Sequence, residues 1–255
     1  MPTLPNHNPT GRFSDRVADY VRARPGYPAE LVDVLARRCD FTPRAAVADV
    51  GSGTGLLARL FLEHGNRVFG IEPNAEMRAA GEEFLRAYPQ FRSIDGGAEA
   101  TTLPGAVVDF VTAGQAFHWF DRERARQEFA RILKPGGWVV LIWNDRRLDA
   151  TPFLRGYEDL LVRHCPDYLQ VVHRNVDAPA LQRFYGPQGY AEVVLDNRQR
   201  FDWDGLVARH RSSSFVPKTG HEAGMLELQA LFDAQQVGGQ VEFEYDTRVQ
   251  FGQLS

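Results

Sequence analysis

The stretch VADVGSGTGLLARLF, residues 47–61, decides the fold that we predict for this chain. It opens with a short apolar run that ends at Asp49 and is typical of a buried strand. Gly51, Gly53 and Gly55 follow at every second position, and leucines and a phenylalanine then recur at helical spacing. Strand, glycine turn and helix together predict a nucleotide-binding crossover, in which the helix points its free N–H groups at the ligand.

The spacing of the glycines separates two kinds of nucleotide-binding turn. A dinucleotide fingerprint, G-x-G-x-x-G, needs a glycine where this chain has Leu56. The next predicted strand, Arg67–Ile71, leads into Glu72, about 20 residues beyond the first glycine, where an acidic residue binds ribose hydroxyls. The pattern therefore favours a nucleoside cofactor over a plain turn. A nicotinamide-dependent oxidoreductase is the alternative from another class.

The pattern D-x-G-x-G-x-G, led by Asp49, resembles motif I of the class I S-adenosylmethionine-dependent methyltransferases. The resemblance covers nearly the whole chain, from Phe13 to Phe251. It implies a Rossmann-like, doubly wound α/β fold with helices on both faces of a mostly parallel sheet. The seven strands would have the order 3-2-1-4-5-7-6, with strand 7 antiparallel. It also implies an enzyme that uses S-adenosyl-L-methionine as its cofactor.

A second resemblance lies ahead of motif I. A predicted helix, Ser14–Ala23, contains Tyr20 and is followed by Arg24, Pro25 and Tyr27. This run resembles the "Y…RP.YP" signature of a subgroup that includes proteins similar to trans-aconitate methyltransferases. The resemblance implies that the segment covers the cofactor, with Arg24 facing either the methionine carboxylate or an acidic substrate.

The resemblance implies cofactor contacts from five segments: the one before motif I, motif I itself, and the ends of predicted strands two, three and four. The "G-A-E" segment after strand three matches the adenine pocket. The expected contacts are Tyr20, Arg24, Asp49, Gly51, Ser52, Gly53, Gly55, Glu72, Pro73, Met77, Ala98, Glu99, Gln115, Ala116 and Phe117.

Candidates for acceptor binding lie where ligands bind in open α/β sheets, outside the carboxyl ends of the strands. His118 is the candidate catalytic residue, and the expected acceptor contacts are Tyr27, Trp119, Trp143, Arg146 and Arg211. Aromatic faces such as these can stabilise a sulfonium charge.

The acceptor itself is less tightly specified. The subgroup resemblance and four arginines favour O-methylation of a small acidic metabolite; these arginines are Arg24, Arg146, Arg209 and Arg211. A carboxylate acceptor is ionised at neutral pH and needs no general base. C-methylation of a quinone-like or lipid precursor is the alternative, and a protein that binds the cofactor without turnover is a further one.

Length and patterning predict one methyltransferase domain over residues 12–255, after a flexible tail, 1–11. Residues 149–186, between predicted strands five and six, are expected to be an insertion that caps the substrate pocket. KPGG, residues 134–137, is expected to turn the chain into strand five, residues 138–144.

Composition bounds the partners of the protein. The net charge of −4 argues against a strongly basic nucleic-acid-binding surface, so a small-molecule substrate is expected instead. The amino terminus has no apolar signal core, and no apolar run approaches the roughly 18 residues that span a membrane. The two cysteines have no metal-ligand spacing and no disulfide pattern. We therefore expect a cytoplasmic protein; its oligomeric state cannot be read from the sequence.

Overall fold

The computed structural model describes residues 24–169, 177–213, 215–217 and 219–254. The predicted tail, the predicted helix at Ser14–Ala23 and Tyr20 lie outside these residues. The strands are β1 Ala46–Val50, β2 Arg67–Ile71, β3 Phe91–Ile94, β4 Val108–Gly114, β5 Leu133–Arg146, β6 Ala191–Phe201 and β7 Val241–Gly252. The helices are α1 Glu30–Cys39, α2 Leu56–Glu63, α3 Ala75–Phe84, α4 Arg122–Ile132, α5 Pro152–His164, α6 Ala178–Tyr185, α7 Trp203–Arg211 and α8 Glu222–Gln235.

The seven strands form one sheet in the order β3-β2-β1-β4-β5-β7-β6. The first five are parallel, and β7 is antiparallel to both β5 and β6. All five residues of β1 are buried, as expected of a central parallel strand that is covered on both faces. The predicted fold class, strand order and antiparallel seventh strand are confirmed.

Two apolar cores cover the two faces of the sheet, because successive strand side chains point to opposite faces. Ala48 and Val50 face the core that α4 and α6 complete, whereas Val47 faces the core that α1 and α2 complete. The second core contains Cys39, which is buried. The sheet is therefore sandwiched between helices along β1, β4 and β5.

A third core lies beyond the carboxyl end of β5, where β6 and β7 extend past the rest of the sheet. α5, α7 and α8 pack there on Phe201 and Phe243, and Cys165 is buried among them. We call these three helices the cap. The predicted insertion, residues 149–186, is divided between two cores: α5 belongs to the cap, whereas α6 packs on the sheet through Leu181 and its neighbours.

The expected turn at residues 134–137 is wrong in detail, because this segment is the first part of β5. β5 begins at Leu133, which pairs with Val108, and the pairing then jumps to Phe110 and Trp138. The chain therefore advances five residues on β5 while it advances two on β4. Gly136, one of the extra residues on β5, has a left-handed backbone (φ 77°). The segment is an irregular strand start that glycine accommodates.

None of the helices in the described ranges combines the length and the apolar character needed to cross a membrane.

Candidate functional site

The glycine turn at the end of β1 forms a concave surface of main-chain groups. Gly51 and Gly53 both have left-handed backbones, with φ of 68° and 56°. A Cβ on Gly51 would lie 2.6 Å from the Cβ of Ala116, so a side chain there has no room. Gly55 begins α2 as its N-cap, and a Cβ there would meet Leu85 rather than a ligand. Two glycines thus shape the cradle, and the third shapes the packing of α2.

Glu72 ties the glycine turn to the end of β2. One carboxylate oxygen, Oε2, accepts a hydrogen bond from the main-chain N–H of Gly53 at 2.9 Å. The other, Oε1, accepts from the N–H of Asn74 at 2.9 Å. Burial raises the pKa of Glu72, while these two N–H donors and Arg78 oppose the rise. Each carboxylate oxygen keeps a lone pair for a further donor, such as a ribose hydroxyl.

Asp49 lies beneath the turn and is almost completely buried, with 1% of its surface exposed. Its Oδ1 accepts from the hydroxyl of Thr112 on β4 at 3.0 Å. Burial raises the pKa of Asp49 to about 7, although the bond from Thr112 opposes this rise. Burial disfavours the ionised form of Asp49, and a cationic ligand above the turn would stabilise that form.

A cavity opens over the glycine turn and extends along the ends of β2, β3 and β4; we call it the main cavity. The side chains of Met77, Ala98 and Trp119 give it apolar walls, and Glu72 and Glu99 line its polar side. Its other lining residues are Gly51, Gly53, Pro73, Asn74, Gly97, Gly114, Gln115, Ala116 and Phe120.

Gln115 sits at the end of β4 in a left-handed conformation (φ 56°), which is uncommon for a residue with a side chain. Its Nε2 donates to the main-chain oxygen of Asn144 at 3.1 Å. The carboxyl ends of β4 and β5 are thereby joined at the cavity wall. Backbone strain of this kind is often retained where it aims groups at a ligand.

A smaller recess adjoins the main cavity, and the two share Gly51, Gly53, Gly114 and Gln115 as lining residues. Arg24, Tyr27, Asp49, Ser52 and Asn144 are among the other residues that line it. The guanidinium of Arg24 donates to the main-chain oxygen of Ser212, just after α7, at 2.9 Å. Of the described residues that line the cavity or the recess, Arg24 is the only cationic one.

Three neighbouring rings, those of His118, Trp119 and Trp143, form a group beside the main cavity. His118 lies between Trp119 and Trp143, with ring centroids 4.6 and 5.7 Å away. Trp119 lines the main cavity, whereas Trp143 lines a separate depression with Tyr190 and Arg248. His118 therefore contacts the cavity wall through the indole of Trp119.

The structure does not bring every predicted site residue to the cavity. Phe117 is fully buried and packs edge-on against Phe184 in the sheet core. Arg146 donates to Glu158 at 2.5 Å and to Tyr168 at 3.0 Å, inside the cap region. Arg211, the last residue of α7, is exposed and lines neither the cavity nor the recess.

Three further polar residues line the site although the predicted contacts did not include them: Thr54, Asn74 and Asn144. Asn74 is the N-cap of α3, and its Oδ1 accepts from the N–H of Met77 at 2.8 Å. Its position after Pro73, ahead of an apolar helical pattern, is a cap signal that would have identified it. Asn144, at the end of β5, faces the recess, and only its place next to Trp143 at a strand end hinted at this.

These features fit a nucleoside that carries a positive charge. Gly51 and Gly53 line the cavity and carry no side chain, so main chain can approach a ligand there. Among the described lining residues, the acidic groups Asp49, Glu72 and Glu99 outnumber the cationic Arg24. The apolar side chains of Met77 and Ala98 can flank a flat base.

The comparisons with known proteins agree with this geometry. A family model described as "Methyltransferase domain" matches residues 48–141. An uncharacterized methyltransferase of Mycobacterium tuberculosis is 42% identical over 137 residues, which are 52% of each chain, so the match spans about half of that relative. An uncharacterized methyltransferase of a Geobacillus species is 30% identical over 206 residues, covering 76% of this chain and 94% of the relative.

Among solved structures, a putative type II methyltransferase from Anaeromyxobacter dehalogenans is similar in fold. The TM-score is 0.63 at 22% sequence identity, and the match covers 91% of this chain and 98% of the other.

The fold and the cavity at the ends of β1, β2 and β4 thus define a Rossmann-like α/β protein. With these relatives, the chain belongs to the class I S-adenosylmethionine-dependent methyltransferases, a family of enzymes. S-adenosylmethionine is its cofactor, and the predicted family and cofactor are confirmed. The family decides against a nicotinamide-dependent oxidoreductase.

Proposed function

We propose that the protein transfers the methyl group of S-adenosylmethionine to a carboxylate oxygen of a small acidic metabolite. The observation that carries this proposal is the position of Arg24, the only cationic residue among the described residues lining the main cavity and the recess. A planar guanidinium can bind a carboxylate through two parallel hydrogen bonds. Arg146 gives less support than the sequence suggested, because its partner is Glu158.

The residues of the chain would contribute mainly alignment and exclusion of water. Glu72 would accept hydrogen bonds from the ribose, and main-chain groups of the glycine turn would contact the methionine part. Arg24 and Tyr27 would hold the acceptor in the recess. Bound S-adenosylmethionine supplies a methyl carbon already activated by its sulfonium, so an ionised carboxylate can displace the sulfur without a general base.

A second candidate is C-methylation of a quinone-like or lipid precursor. The observation that favours it is the aromatic group beside the main cavity, in which the rings of His118, Trp119 and Trp143 follow one another. Such rings suit a flat apolar acceptor, and His118 is the titratable group at hand for proton removal. His118 as the catalytic residue and Trp119 and Trp143 as acceptor contacts stay predictions.

The decisive experiment is transfer of labelled methyl from S-adenosylmethionine to a cell extract, with the product separated by charge and identified by mass spectrometry. A product that has lost one negative charge and is cleaved by mild base, as a methyl ester is, supports the proposal. A base-stable product with a new carbon-bound methyl group supports the second candidate. No transfer by a protein that binds the cofactor would favour the non-catalytic alternative.

The role of Arg24 is tested separately with Arg24→Lys, which keeps the charge and removes the fork. We expect turnover of the acidic acceptor to fall about tenfold, the loss of roughly one charged hydrogen bond, while affinity for S-adenosylhomocysteine holds. Arg92→Lys is the control, because the Arg92 guanidinium also donates to main-chain oxygens but is exposed on β3, away from the recess. A drop in cofactor affinity instead would mean that Arg24 binds the cofactor's own carboxylate.

A small-molecule substrate, the absence of a nucleic-acid partner and a cytoplasmic location also belong to this proposal. The net charge of −4 supports the first two.

A further inference from the structure

Three side-chain amides share the face of the sheet that looks towards the recess. Asn144 on β5 pairs with Thr247 on β7, which pairs in turn with Leu195 on β6. Asn197 and Gln199 follow Leu195 at two and four residues along β6. Because strand side chains alternate, all three amides lie on one face and form a short row across β5 and β6.

The three amides donate to the main chain of one segment, residues 24–28, which precedes α1. The oxygen of Gly26 accepts from Nδ2 of Asn144 at 3.2 Å and from Nδ2 of Asn197 at 2.9 Å. The oxygen of Arg24 accepts from Nε2 of Gln199 at 3.2 Å. Proline has no main-chain N–H, so the segment has few donors of its own, and the three amides tie two of its carbonyl oxygens to the sheet.

The amide oxygens of Asn144 and Gln199 are bound as well, which fixes the direction of these two amides. Oδ1 of Asn144 accepts from the hydroxyl of Thr247 at 2.5 Å and from Asn197 at 3.2 Å. Oε1 of Gln199 accepts from the hydroxyl of Tyr245 at 3.1 Å. A carbonyl oxygen such as that of Gly26 can only accept, so the amide nitrogens must face the segment.

The segment held in this way is a wall of the binding site. Arg24, Pro25 and Tyr27 line the recess together with the glycine turn. The hydroxyl of Tyr27 lies where a side chain on Gly114 would begin, so the segment is packed directly on the end of β4. Movement of the segment would change the shape of the recess and the place of Arg24.

We propose that Asn144, Asn197 and Gln199 are positioning residues, an amide clamp that holds segment 24–28 against the glycine turn. Asn144 is its central member. It is buried, it donates to the segment, and its main-chain oxygen accepts from the strained Gln115. Asn144 thus contacts two walls of the site, segment 24–28 and the end of β4 at Gln115. Because the recess shares Gly51, Gly53, Gly114 and Gln115 with the main cavity, displacement of the segment would also disturb cofactor binding, whatever the identity of the acceptor.

The test replaces one donor by an acceptor. In Asn144→Asp one carboxylate oxygen can still accept from Thr247, whereas the other faces the oxygen of Gly26 and repels it. At pH 8 we expect the dissociation constant for S-adenosylhomocysteine to rise about tenfold, which matches an unsatisfied buried acceptor. Hydrogen exchange in the peptide covering residues 24–30 should become faster.

The pH profile separates positioning from a general structural defect. As the pH falls towards 5, the buried carboxyl group that Asn144→Asp introduces becomes protonated and can donate to Gly26 again. The affinity of this variant relative to the wild-type protein should therefore recover, and slow exchange should return. A merely destabilised protein would become worse, or stay as it was, over the same range.

Gln253→Glu is the matched control. In the wild-type protein, Nε2 of Gln253 donates to the oxygen of Gly136 at 2.7 Å, the same kind of contact at the opposite end of β5. This substitution should change neither measurement. Unchanged affinity and exchange in Asn144→Asp would overturn the proposal, as would a loss that does not recover at low pH. If Asn144→Asp does not fold, Gln199→Glu on the edge strand is judged by the same criteria.

Failure of the wild-type protein to bind S-adenosylhomocysteine would instead contradict the cofactor assignment.

Discussion

The inner strands β1, β2 and β4 approach the binding site with main chain, whereas β5 and β6 approach it with side chains. On the inner side, glycines at positions 51 and 53 leave a bare backbone, and Glu72 is bound by two N–H groups. On the outer side, Asn144, Asn197 and Gln199 reach segment 24–28. The inner side is one continuous stretch of sequence, whereas the outer side joins residues more than 100 positions apart.

The two sides also bury charge differently. Asp49 is buried on the inner side beside one hydroxyl donor, from Thr112. On the outer side, Arg146 is paired with Glu158, and Arg147 is paired with Asp196, Glu244 and Asp246. The inner side thus keeps an acidic group for a cationic ligand, whereas the outer side neutralises its charges within the protein. We infer that the inner side is shaped for the cofactor and the outer side for stable support.

The largest effect is expected from a substitution in the glycine turn of the inner side. In Gly53→Val a branched side chain would have to adopt φ of 56°, and its Cβ would lie 3.3 Å from Cε of Met77. We expect affinity for S-adenosylhomocysteine to fall by at least about a hundredfold, because backbone strain and lost space act together. Calorimetry measures the affinity, and circular dichroism checks the fold. Native-like affinity in the folded variant would show that the turn is not the cradle.

A smaller effect is expected at the link between β1 and β2. Glu72→Ala removes the acceptor of the Gly53 and Asn74 N–H groups and the expected acceptor of the ribose diol. Affinity for S-adenosylhomocysteine should fall at least about tenfold, since hydrogen bonds to a charged group contribute about 1.5–3 kcal/mol. Glu72→Gln, which keeps one acceptor oxygen, should lie between the alanine variant and the wild-type protein. An unchanged dissociation constant in both variants would make Glu72 a mere structural tie.

The smallest expected effect concerns how the stability of the protein depends on pH. In the cap, His210 lies between the hydroxyl of Tyr157 and the ring of His221. Burial, with help from His221 and nearby arginines, lowers the pKa of His210 to about 3. Below the ordinary histidine pKa of about 6.5, the unfolded chain therefore binds a proton at His210 that the folded chain does not bind. The contribution of His210 to stability is complete above that pH and is lost as the pH falls.

We expect protonation of His210 in the unfolded chain to lower the free energy of unfolding by about 1 kcal/mol between pH 7 and 5.5. His210→Gln, which cannot titrate, should lose less stability over that range in urea unfolding experiments. Asp49 acts in the opposite sense, because its raised pKa adds stability below about pH 4 that is lost as the pH rises through 7. The wild-type profile contains both contributions, so the difference between the two proteins is the measurement. Equal pH slopes would exclude His210 as the source.

The sequence predicted the inner side well, because its signals are local. Glycine spacing, a buried strand and an acidic residue at a fixed distance all lie within residues 47–72, and the fold follows from them. The start of β5 was not predicted correctly, because Leu133–Gly137 looks like a turn and joins the sheet only through its pairing with β4. Phe117 follows a strand end like a ligand contact, but the packing of α6 surrounds it.

The outer side could not be predicted, because its contacts depend on where distant segments meet. Nothing near Asn144 in the chain reveals that it faces Gly26, or that Arg146 finds a partner on α5. The subgroup resemblance and the positions of the arginines in the chain predict acceptor contacts, but neither shows which guanidinium has a partner within the protein. Only the tertiary structure separates Arg24, which lines the recess, from Arg146, which is an ion-pair partner.

The two buried cysteines can report separately on the unfolding of the sheet core and of the cap. Cys39, the last residue of α1, lies in the core that α1 and α2 complete, and Cys165 lies in the core of the cap. Burial raises the pKa of Cys39 to about 12 and that of Cys165 to about 11, so neither thiol reacts readily while folded. A thiol reagent followed by mass spectrometry would therefore time the unfolding of each region within one molecule, without any added label.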